Sequence, residues 1–493
     1  MGMNKSPSLV WFRLDLRLDD HPALLHAFER KHPVIPVYIW SPEEEGEWSP
    51  GTASRWWLHQ SLERLDAELR KIGAHLILRR GLSLEVLNDL IRETGADGVF
   101  WNRRYEPALV ARDAEIKAEL RSRNIIVESF NASLLHEPWE VLKSDGKPYQ
   151  VFTAFWKALL SLPEPSLPLA APTRILAPDV WPDSLPLPDL GLVNQEDWTE
   201  NLREIWSPGS EGAMSRLERF IDEFLWTYTE DRDRPDREGT SRLSPHLHFG
   251  EISPRYVWHA AREHAENHRK KGKPEGVWSF LRELAWREFA YQLLFHFPYT
   301  PDQPLKPEFM DFPWKKNTAA ALEAWQQGRT GYPLVDAGMR ELRATGWMHN
   351  RARMITASFL VKDLLISWVE GAKWFWDTLV DADLANNTFG WQWTAGCGAD
   401  AAPYYRIFNP VLQGEKFDPN GEYVRRWLPE LAALPNHAIH QPWTASALSS
   451  ADDAIEHGKS YPPPMVDHLE ARQNALFALS TIKKIEENTA DDS

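Results

Sequence analysis

The sequence predicts an N-terminal α/β domain with a parallel sheet, followed by an all-α domain. Short runs of β-branched and aromatic residues alternate with amphipathic stretches up to about residue 135. After about residue 205, apolar residues instead recur every three or four positions, which is the helical spacing. A chain of 493 residues exceeds the usual size of one hydrophobic core. We therefore expect two or three packed domains.

Five short runs, separated by amphipathic stretches, are the predicted strands of the first domain: Ser8–Phe12, Val34–Trp40, His75–Leu78, Gly98–Trp101 and Asn124–Glu128. This order favours parallel pairing with right-handed crossovers, so we predict a Rossmann-like parallel sheet within residues 6–135. Ligands of such sheets bind at the carboxyl ends of the strands. The segment Phe12–Arg17 follows the first strand without a GxGxxG pattern. We therefore do not expect a dinucleotide bound there in the Rossmann manner.

Prolines mark the boundary between the two domains. Eight of them lie between Pro163 and Pro188, and proline fits neither a regular helix nor a central strand. We predict a connector over residues 136–204, a helical domain over 205–485 and a polar, frayed tail over 486–493. Within the helical domain the spacing is clearest in four segments: Trp278–Phe297, Ala319–Gln327, Val335–Ala344 and Met348–Val369.

The composition excludes several classes of protein. No stretch approaches the roughly 20 apolar residues of a membrane span, and Met1–Ser8 lacks the apolar run of a signal peptide, so we expect a cytoplasmic protein without membrane contact. The single Cys397 excludes an internal disulfide framework and a CxxC zinc site. We expect no metal, and we expect a monomer.

The formal net charge of −16 argues against nucleic-acid binding by the whole surface. Residues 342–362 nevertheless contain no acidic residue and four cations, namely Arg343, Arg351, Arg353 and Lys362. A local basic face and an ordinary solvated helix face both fit this pattern. Of the 25 tryptophans, most must be packing residues, because an indole buries a large area.

Two strings could bind phosphates or bases. Gly239–Pro245 offers three hydroxyls and an arginine ahead of a helix, which fits a phosphate site or a simple N-cap. Glu283, Trp286 and Arg287 share one face of a predicted helix. This face could receive a base and its phosphate, or it could be a Glu–Arg surface pair beside a core tryptophan.

Two further strings are rich in polar and aromatic groups. In Trp347–Met354, Asn350 and Met354 share one helical face, and the arginines of the string point elsewhere. This fits a ligand-binding face or a packed amphipathic helix. Asp381–Trp393 combines two carboxylates, two asparagines and two indoles, which could bind the edge of a heteroaromatic ring or form a capped turn.

These four strings and Ala401–Pro410 occur in the same order in the photolyase and cryptochrome family, which the chain resembles over nearly its whole length. The string Val10–Leu18 also resembles the antenna domain of that family. Ile39–Gly46 and Ser54–Trp57 resemble plant cryptochromes and, in particular, the class III bacterial photolyases. The resemblance implies an α/β antenna domain followed by a helical FAD domain.

The resemblance implies a FAD shell that includes Tyr228, Thr240, Ser241, Arg242, Leu243, Ser244, Arg353, Asp381, Ala382, Asp383 and Asn387. It pairs Arg353 with Asp381 near the isoalloxazine ring, through a charge-assisted contact. It also places Asn387 opposite flavin N5. An amide there adds no negative charge, which suits an anionic reduced flavin.

The resemblance further implies electron relays and DNA contacts. Three tryptophans would carry electrons between the flavin and the surface: Trp391, Trp368 and Trp314. At the lesion, Glu283 and Asn350 would hydrogen-bond the base edges and Met354 would contact a ring, while Trp286 and Trp393 would stack on the dimer. The flanking DNA would meet Arg232, Arg287, Arg351 and Gln413.

The implied activity is that of a deoxyribodipyrimidine photo-lyase, in which excited reduced FAD donates an electron to a flipped-out cyclobutane pyrimidine dimer. Relatives that repair (6-4) photoproducts carry histidines where Asn350 and Met354 stand, which favours the cyclobutane dimer as substrate. The antenna chromophore would be 5,10-methenyltetrahydrofolate, with a deazaflavin as the alternative.

Two other functions compete with repair. A cryptochrome-type blue-light receptor with little repair activity is the nearer one. Plant cryptochromes, however, carry Asp where Asn387 stands and extend into long disordered tails, which we do not expect here. The other is a flavin-binding partner module without photochemistry. A module of this kind would be expected to have lost Trp368 and Trp391, or Glu283. All three residues are present, which argues against this function.

Overall fold

A computed structural model describes residues 5–193, 198–268, 274–401, 406–447 and 461–491. Within these ranges, contacts divide the chain into two compact units. The described residues of Met1–Trp226, Ser241–Pro298 and Val380–Leu384 form the first unit, and those of Thr227–Thr240, Tyr299–Leu379 and Ala385–Ser493 form the second.

The first unit is built on a five-stranded parallel sheet with the strand order β3-β2-β1-β4-β5, so the predicted Rossmann-like fold class is confirmed. The strands are β1 (Ser8–Phe12), β2 (Val34–Trp40), β3 (Ile77–Arg80), β4 (Gly98–Asn102) and β5 (Ile126–Phe130). The three central strands are buried along their whole length, as expected for a parallel sheet covered on both faces. This explains why they stand out in the sequence as unbroken apolar runs.

The helices of the first unit are α1 (Pro22–Glu29), α2 (Thr52–Lys71), α3 (Ser83–Thr94), α4 (Pro107–Ser122), α5 (Phe152–Leu159), α6 (Leu202–Ile205), α7 (Ser210–Glu223), α9 (Ser244–His248), α10 (Pro254–Asn267) and α11 (Glu275–His296). The short α8 (Tyr228–Asp231) belongs to the second unit. In the first unit, α11 packs against α5 and α10. For this reason residues 241–298 group with the sheet, and the compact units do not coincide with the domain boundaries that we predict near residue 205.

The second unit is helical over the residues that are described, which confirms the predicted class of this part of the chain. Its further helices are α12 (Ala319–Gln326), α13 (Pro333–Thr345), α14 (Asn350–Ser358), α15 (Trp368–Thr378), α16 (Leu384–Ala395, beginning with a residue of the first unit), α17 (Pro410–Phe417), α18 (Glu422–Trp427) and α19 (His468–Asp491). Helix α19 continues over 486–491, where the sequence suggested a polar tail.

The segment Met348–Val369, predicted as one helix, is divided in the structure. The α-helical hydrogen bonding of α14 ends at Ser358. The chain then forms a π-helical turn over Phe359–Asp363. Leu365 then adopts a left-handed backbone with φ of 53°, which is costly for a branched residue and stops the helix. Helix α15 starts afresh at Trp368, where the Ser367 hydroxyl accepts the Val369 N–H at 3.4 Å.

No helix among the described residues is both long and apolar enough to cross a membrane. Over the same ranges, no three His, Cys, Asp or Glu side chains are grouped in a way that could hold a metal ion.

Candidate functional site

Two buried carboxylates of the segment Val380–Leu384 are held by hydroxyl groups of the first unit. The Ser244 hydroxyl, at the start of α9, donates to Asp381 Oδ2 at 2.6 Å. The Tyr291 hydroxyl, on α11, donates to Asp383 Oδ2 at 2.5 Å, and His248 Nδ1 lies 3.5 Å from the same oxygen. The strings that contain Ser244 and Asp381 are 137 residues apart in sequence, and the fold brings them together.

Asp383 is an ionised acceptor. Burial by itself would raise the pKa of Asp383, but the hydrogen bond and positive charge of His248 and the charge of Arg287 outweigh burial and lower that pKa below its usual range. The carboxylate is therefore available to accept hydrogen bonds at any ordinary pH.

The predicted lesion-facing side of α11 is partly exposed. Glu283 and Trp286 are both half-buried, whereas Leu284 and Ala285 between them are buried. The indole of Trp286 stacks on the ring of Phe152 from α5, with 3.5 Å between centroids and 9° between planes. One face of Trp286 is thus held by the protein, and the orientation of the ring is fixed.

Arg287 occupies a different environment from the one that we predict. Its guanidinium is buried, Nη1 donates to the Ser133 carbonyl at 2.6 Å, and its Cζ lies 4.7 Å from the centroid of the Tyr291 ring. A guanidinium committed to a carbonyl and an aromatic ring is not presented to DNA phosphates. The sequence put Arg287 on the face of Glu283 and Trp286, but the packing of α11 turns this position inward.

Glu288 is a buried carboxylate that we did not predict as a functional residue. Its Oε2 accepts the backbone N–H groups of Leu135, at 2.9 Å, and His136, at 3.2 Å. Burial raises the pKa of Glu288 to about 7, although the nearby Arg287 charge and the two N–H donors act in the opposite direction. Its position one turn after the buried Leu284 is the only signal that could have indicated this burial.

In the second unit, the start of α14 is anchored by a buried network. His349 caps the helix, because its Nδ1 accepts the Arg351 N–H at 3.1 Å. The His349 N–H donates to Glu341 Oε2 at 3.1 Å. Asn350 follows the cap and is exposed, and Met354 is half-buried one turn later. The network therefore fixes the two residues that we predict to meet the lesion.

The three predicted site arginines of this unit each contact another group of the protein. Arg351 Nη2 donates to Asp233 Oδ1 at 2.6 Å, and its Cζ lies 4.3 Å from the Phe417 ring centroid. Arg353 Nε donates to the Met348 carbonyl at 2.7 Å. Arg232 lies over the ring of Tyr228, with 5.4 Å from Cζ to the centroid.

The predicted relay tryptophans of this unit differ in burial. Trp391 and Trp368 are buried, and Trp314 is half-buried beside Phe312, with 4.3 Å between ring centroids. Trp391 makes edge contacts with Phe375, at 5.0 Å, and with the buried Trp325, at 6.2 Å. The tryptophan count alone could not single out Trp325.

Helix α16 carries the remaining predicted residues of this unit. The Asn387 amide donates from Nδ2 to the Ala372 carbonyl at 3.0 Å, which fixes the amide plane. Trp393 is half-buried, as is Gln413 on α17. Between the two indoles of the string, Gln392 is buried and binds the backbone of Thr300, Gln303 and Leu305 at 2.7 to 2.8 Å. Gln392 is a positioning residue that we did not predict.

Some predictions stay open. The string Ala401–Pro410 lies partly outside the described residues, since 402–405 are not described. The roles of Thr240, Ser241, Arg242, Leu243 and Ala382, and the pairing of Arg353 with Asp381, stay predictions.

Two family models match the chain. One describes DNA photolyase and matches residues 8–173, and the other describes the FAD binding domain of DNA photolyase and matches residues 280–481.

Full-length relatives agree with these matches. A protein of Agrobacterium fabrum named deoxyribodipyrimidine photo-lyase is 48% identical over 98% of this chain and 100% of its own length. Cryptochrome-1 of Arabidopsis thaliana is 45% identical over 97% of this chain and 71% of its own length. The crystal structure of a class III photolyase from Agrobacterium tumefaciens superposes with a TM-score of 0.93 at 48% identity, over 98% of this chain and 99% of that one.

Proposed function

Because the chain belongs to the photolyase and cryptochrome family, we propose that it is a deoxyribodipyrimidine photo-lyase, which repairs cyclobutane pyrimidine dimers in DNA with light. The observation that carries the proposal is the match to the Agrobacterium fabrum photo-lyase over the whole length of that protein. The partly exposed Glu283 and Trp286 on α11, and Asn350 and Met354 on α14, add support from the chain itself.

The side chains present fit FAD. Thr240, Ser241 and Ser244 carry hydroxyls, and Arg242 carries a cation, which together suit a pyrophosphate. Asn387 uses its Nδ2 toward Ala372, so its carbonyl oxygen is left as an acceptor for an N–H of a reduced ring. When bound in its reduced form, FAD supplies light-driven electron donation. The other shell residues named above from the resemblance belong to the same proposal, as do the relays Trp391, Trp368 and Trp314.

At the lesion, the proposed work of the protein is to hold two extruded bases. Extrusion costs a few kcal/mol and less for a damaged pair. Glu283 and Asn350 would hydrogen-bond the base edges, and Trp286 and Trp393 would stack on them. Asn350 and Met354 stand where relatives that repair (6-4) photoproducts carry histidines, so general-acid help by those imidazoles is not available here.

Backbone phosphates would be met by Arg232, Arg351 and Gln413. The ion pair of Arg351 with Asp233 means that a phosphate must compete with this carboxylate. Because Arg287 is buried, it is not part of the proposed DNA contacts.

For the antenna, we propose 5,10-methenyltetrahydrofolate. The residues that follow β1 are already committed to other side chains: Arg13 pairs with Asp113, and Asp15 Oδ2 accepts from the Asn102 amide at 2.7 Å and lies 3.0 Å from His21 Nε2. These contacts lie after the carboxyl ends of β1 and β4, where ligands of a doubly wound sheet bind. They favour a chromophore bound elsewhere, and the absorption spectrum of the extracted chromophore would identify it.

The second candidate function is a blue-light receptor, which the 45% identity to Arabidopsis cryptochrome-1 favours. One experiment separates the two. The FAD-loaded chain, chemically reduced without oxygen, is illuminated with an oligonucleotide that contains a thymine dimer. We expect light-dependent recovery of thymine absorbance and none in the dark. No recovery with full FAD content would reject repair and leave the receptor.

A further inference from the structure

Three aromatic rings of the first unit form a row from its interior to its surface. The Tyr291 and Tyr105 rings meet edge to face, with 6.0 Å between centroids, and the Tyr105 and Trp139 rings lie 6.5 Å apart. Tyr291 and Tyr105 are buried, whereas the Trp139 side chain is 42% exposed. The row therefore connects a buried phenol to solvent through rings in close contact.

Each tyrosine of the row donates to a carboxylate. Tyr291 donates to Asp383 at 2.5 Å, and Tyr105 donates to Glu137 Oε2 at 2.7 Å. Burial, followed by the negative charge of the carboxylate, raises the pKa of both phenols well above its usual value. Both phenols are therefore protonated at ordinary pH, and each has a base in direct contact with its proton.

This pairing suits one-electron oxidation of the rings. A cation over a ring opposes removal of an electron, and the row has two: Arg287 lies over Tyr291 and Arg103 over Trp139. If the phenol proton moves to the paired carboxylate as the electron leaves, the ring stays neutral and the cation no longer opposes the step. A buried tyrosine without such a base would have to form a cationic radical beside an arginine.

The inner end of the row lies at a residue of the proposed flavin shell. Tyr291 donates directly to Asp383, which the resemblance includes among the FAD contacts. We propose that Tyr291, Tyr105 and Trp139 form a second electron-transfer route to the bound cofactor, separate from the tryptophans of the second unit. This proposal rests on the proposed function, because it requires FAD as the acceptor.

The steps balance for one electron. Tyr291 gives an electron to photoexcited, oxidised FAD and its proton to Asp383. Tyr105 then reduces Tyr291, which recovers its proton from Asp383, while the Tyr105 proton passes to Glu137. Trp139 reduces Tyr105, which recovers its proton from Glu137, and the exposed indole loses its N–H proton to water. An external thiol returns a hydrogen atom to Trp139 and becomes a thiyl radical, and the thiyl radicals from two such transfers combine to a disulfide.

The test uses the full chain with oxidised FAD bound, illuminated without oxygen in the presence of dithiothreitol. Trp391→Phe blocks the tryptophan route, and we expect the rate of flavin photoreduction to fall by about tenfold but not to zero. Adding Tyr105→Phe or Trp139→Phe should lower the residual rate by about fivefold more. The matched control adds Trp278→Phe, because Trp278 is 40% exposed in the same unit and outside the row; the residual rate should not change.

A second readout does not depend on the rate. Trp391→Phe that also carries Trp139→Phe should, when illuminated and frozen, show a tyrosyl radical by electron paramagnetic resonance. Ring-deuterated tyrosine should narrow this signal, and Tyr291→Phe, which removes the first donor, should abolish it. Trp368→Phe serves as the blocking variant if Trp391→Phe loses FAD. The proposal is overturned if the blocked protein shows no residual photoreduction, or if neither Tyr105→Phe nor Trp139→Phe changes it.

The two proposals fail separately. Photoreduction starts from oxidised FAD and needs no DNA, whereas repair is measured on protein that has been reduced chemically. Normal photoreduction through the row without dimer repair would reject the photo-lyase function alone. Repair without any effect of Tyr105→Phe or Trp139→Phe in the blocked protein would reject the row alone.

Discussion

Tyr423 and Glu341 form a buried hydrogen bond of 2.6 Å that supports the start of α14, since the same carboxylate oxygen accepts the N–H of the helix cap His349. Removal of the Tyr423 hydroxyl would leave that oxygen with fewer donors in a buried site. We expect Tyr423→Phe to lower the free energy of unfolding by about 1–3 kcal/mol. It should also weaken binding of dimer-containing DNA, because Asn350 follows the cap.

Urea unfolding and DNA-binding titration measure these two effects of Tyr423→Phe. Tyr149→Phe is the control, because Tyr149 is half-buried in the other unit and this variant also loses only a hydroxyl. Equal stability of the two variants would contradict the anchoring role of Tyr423.

Glu283→Ala should reduce affinity for a dimer-containing oligonucleotide by about tenfold or more, because a charge-assisted hydrogen bond to a base is lost. FAD content should be unchanged. Binding titration and flavin absorbance measure the two quantities. Glu275→Ala, an exposed glutamate of the same helix, should leave affinity unchanged; loss of FAD in Glu283→Ala would show that Glu283 acts on the cofactor site.

The pH dependence of stability should carry the signature of Glu288. Its pKa is about 7 in the folded chain against an ordinary value of 4.5, so the folded state binds this proton more tightly. The stabilisation is complete below about pH 4.5 and is lost as the pH rises through about 7, at a cost of about 3 kcal/mol. Glu288→Gln removes the titration and should be more stable than the unsubstituted chain at pH 8.

Urea unfolding at pH 5 and pH 8 would test the role of Glu288. Glu115→Gln, on an exposed position of α4, provides the comparison and should follow the unsubstituted chain. If the free energy of unfolding changed with pH in the same way for all three proteins, folding would not raise the pKa of Glu288.

Gly371→Ala should disturb the Trp391 indole. A Cβ at residue 371 would lie 2.1 Å from that ring, within a buried cluster, and overpacking of this kind costs about 1–3 kcal/mol. We expect a lower midpoint of thermal unfolding and slower photoreduction of FAD. Both are measured directly, by scanning calorimetry and flavin absorbance.

Gly390→Ala is the matched control, because Gly390 lies in α16 beside Trp391 and a Cβ there meets nothing within 4 Å. An alanine in this helix should be neutral or stabilising by up to about 1 kcal/mol. A Gly371→Ala protein as stable as Gly390→Ala would mean that the ring moves without cost.

The fold was predictable where burial leaves a continuous mark in the sequence. Strands β1 and β2 begin and end at the predicted residues, because each is an apolar run buried on both faces. The break of Met348–Val369 was not predictable, since Leu365 has no local signal for its left-handed backbone. Only tertiary packing accounts for such a residue.

The site shows the same division. Helical spacing correctly put Glu283 and Trp286 on one half-exposed face, but it also put Arg287 there, and Arg287 is buried. Spacing defines neighbours on a helix and not the direction from which other elements pack. The buried Glu288 and Gln392 escaped prediction because they bind backbone groups far away in sequence. Glu341 escaped it because its hydroxyl partner Tyr423 is 82 residues away.

The stacking of Trp286 on Phe152 has a thermodynamic consequence. A free indole loses rotational freedom when a ligand orders it. The entropic cost is about 0.5–1.5 kcal/mol for one immobilised side chain. Phe152 has already ordered this one during folding, so the binding platform is preorganised. Replacing Phe152 by a small residue would therefore weaken binding through entropy, although Phe152 need never touch the ligand.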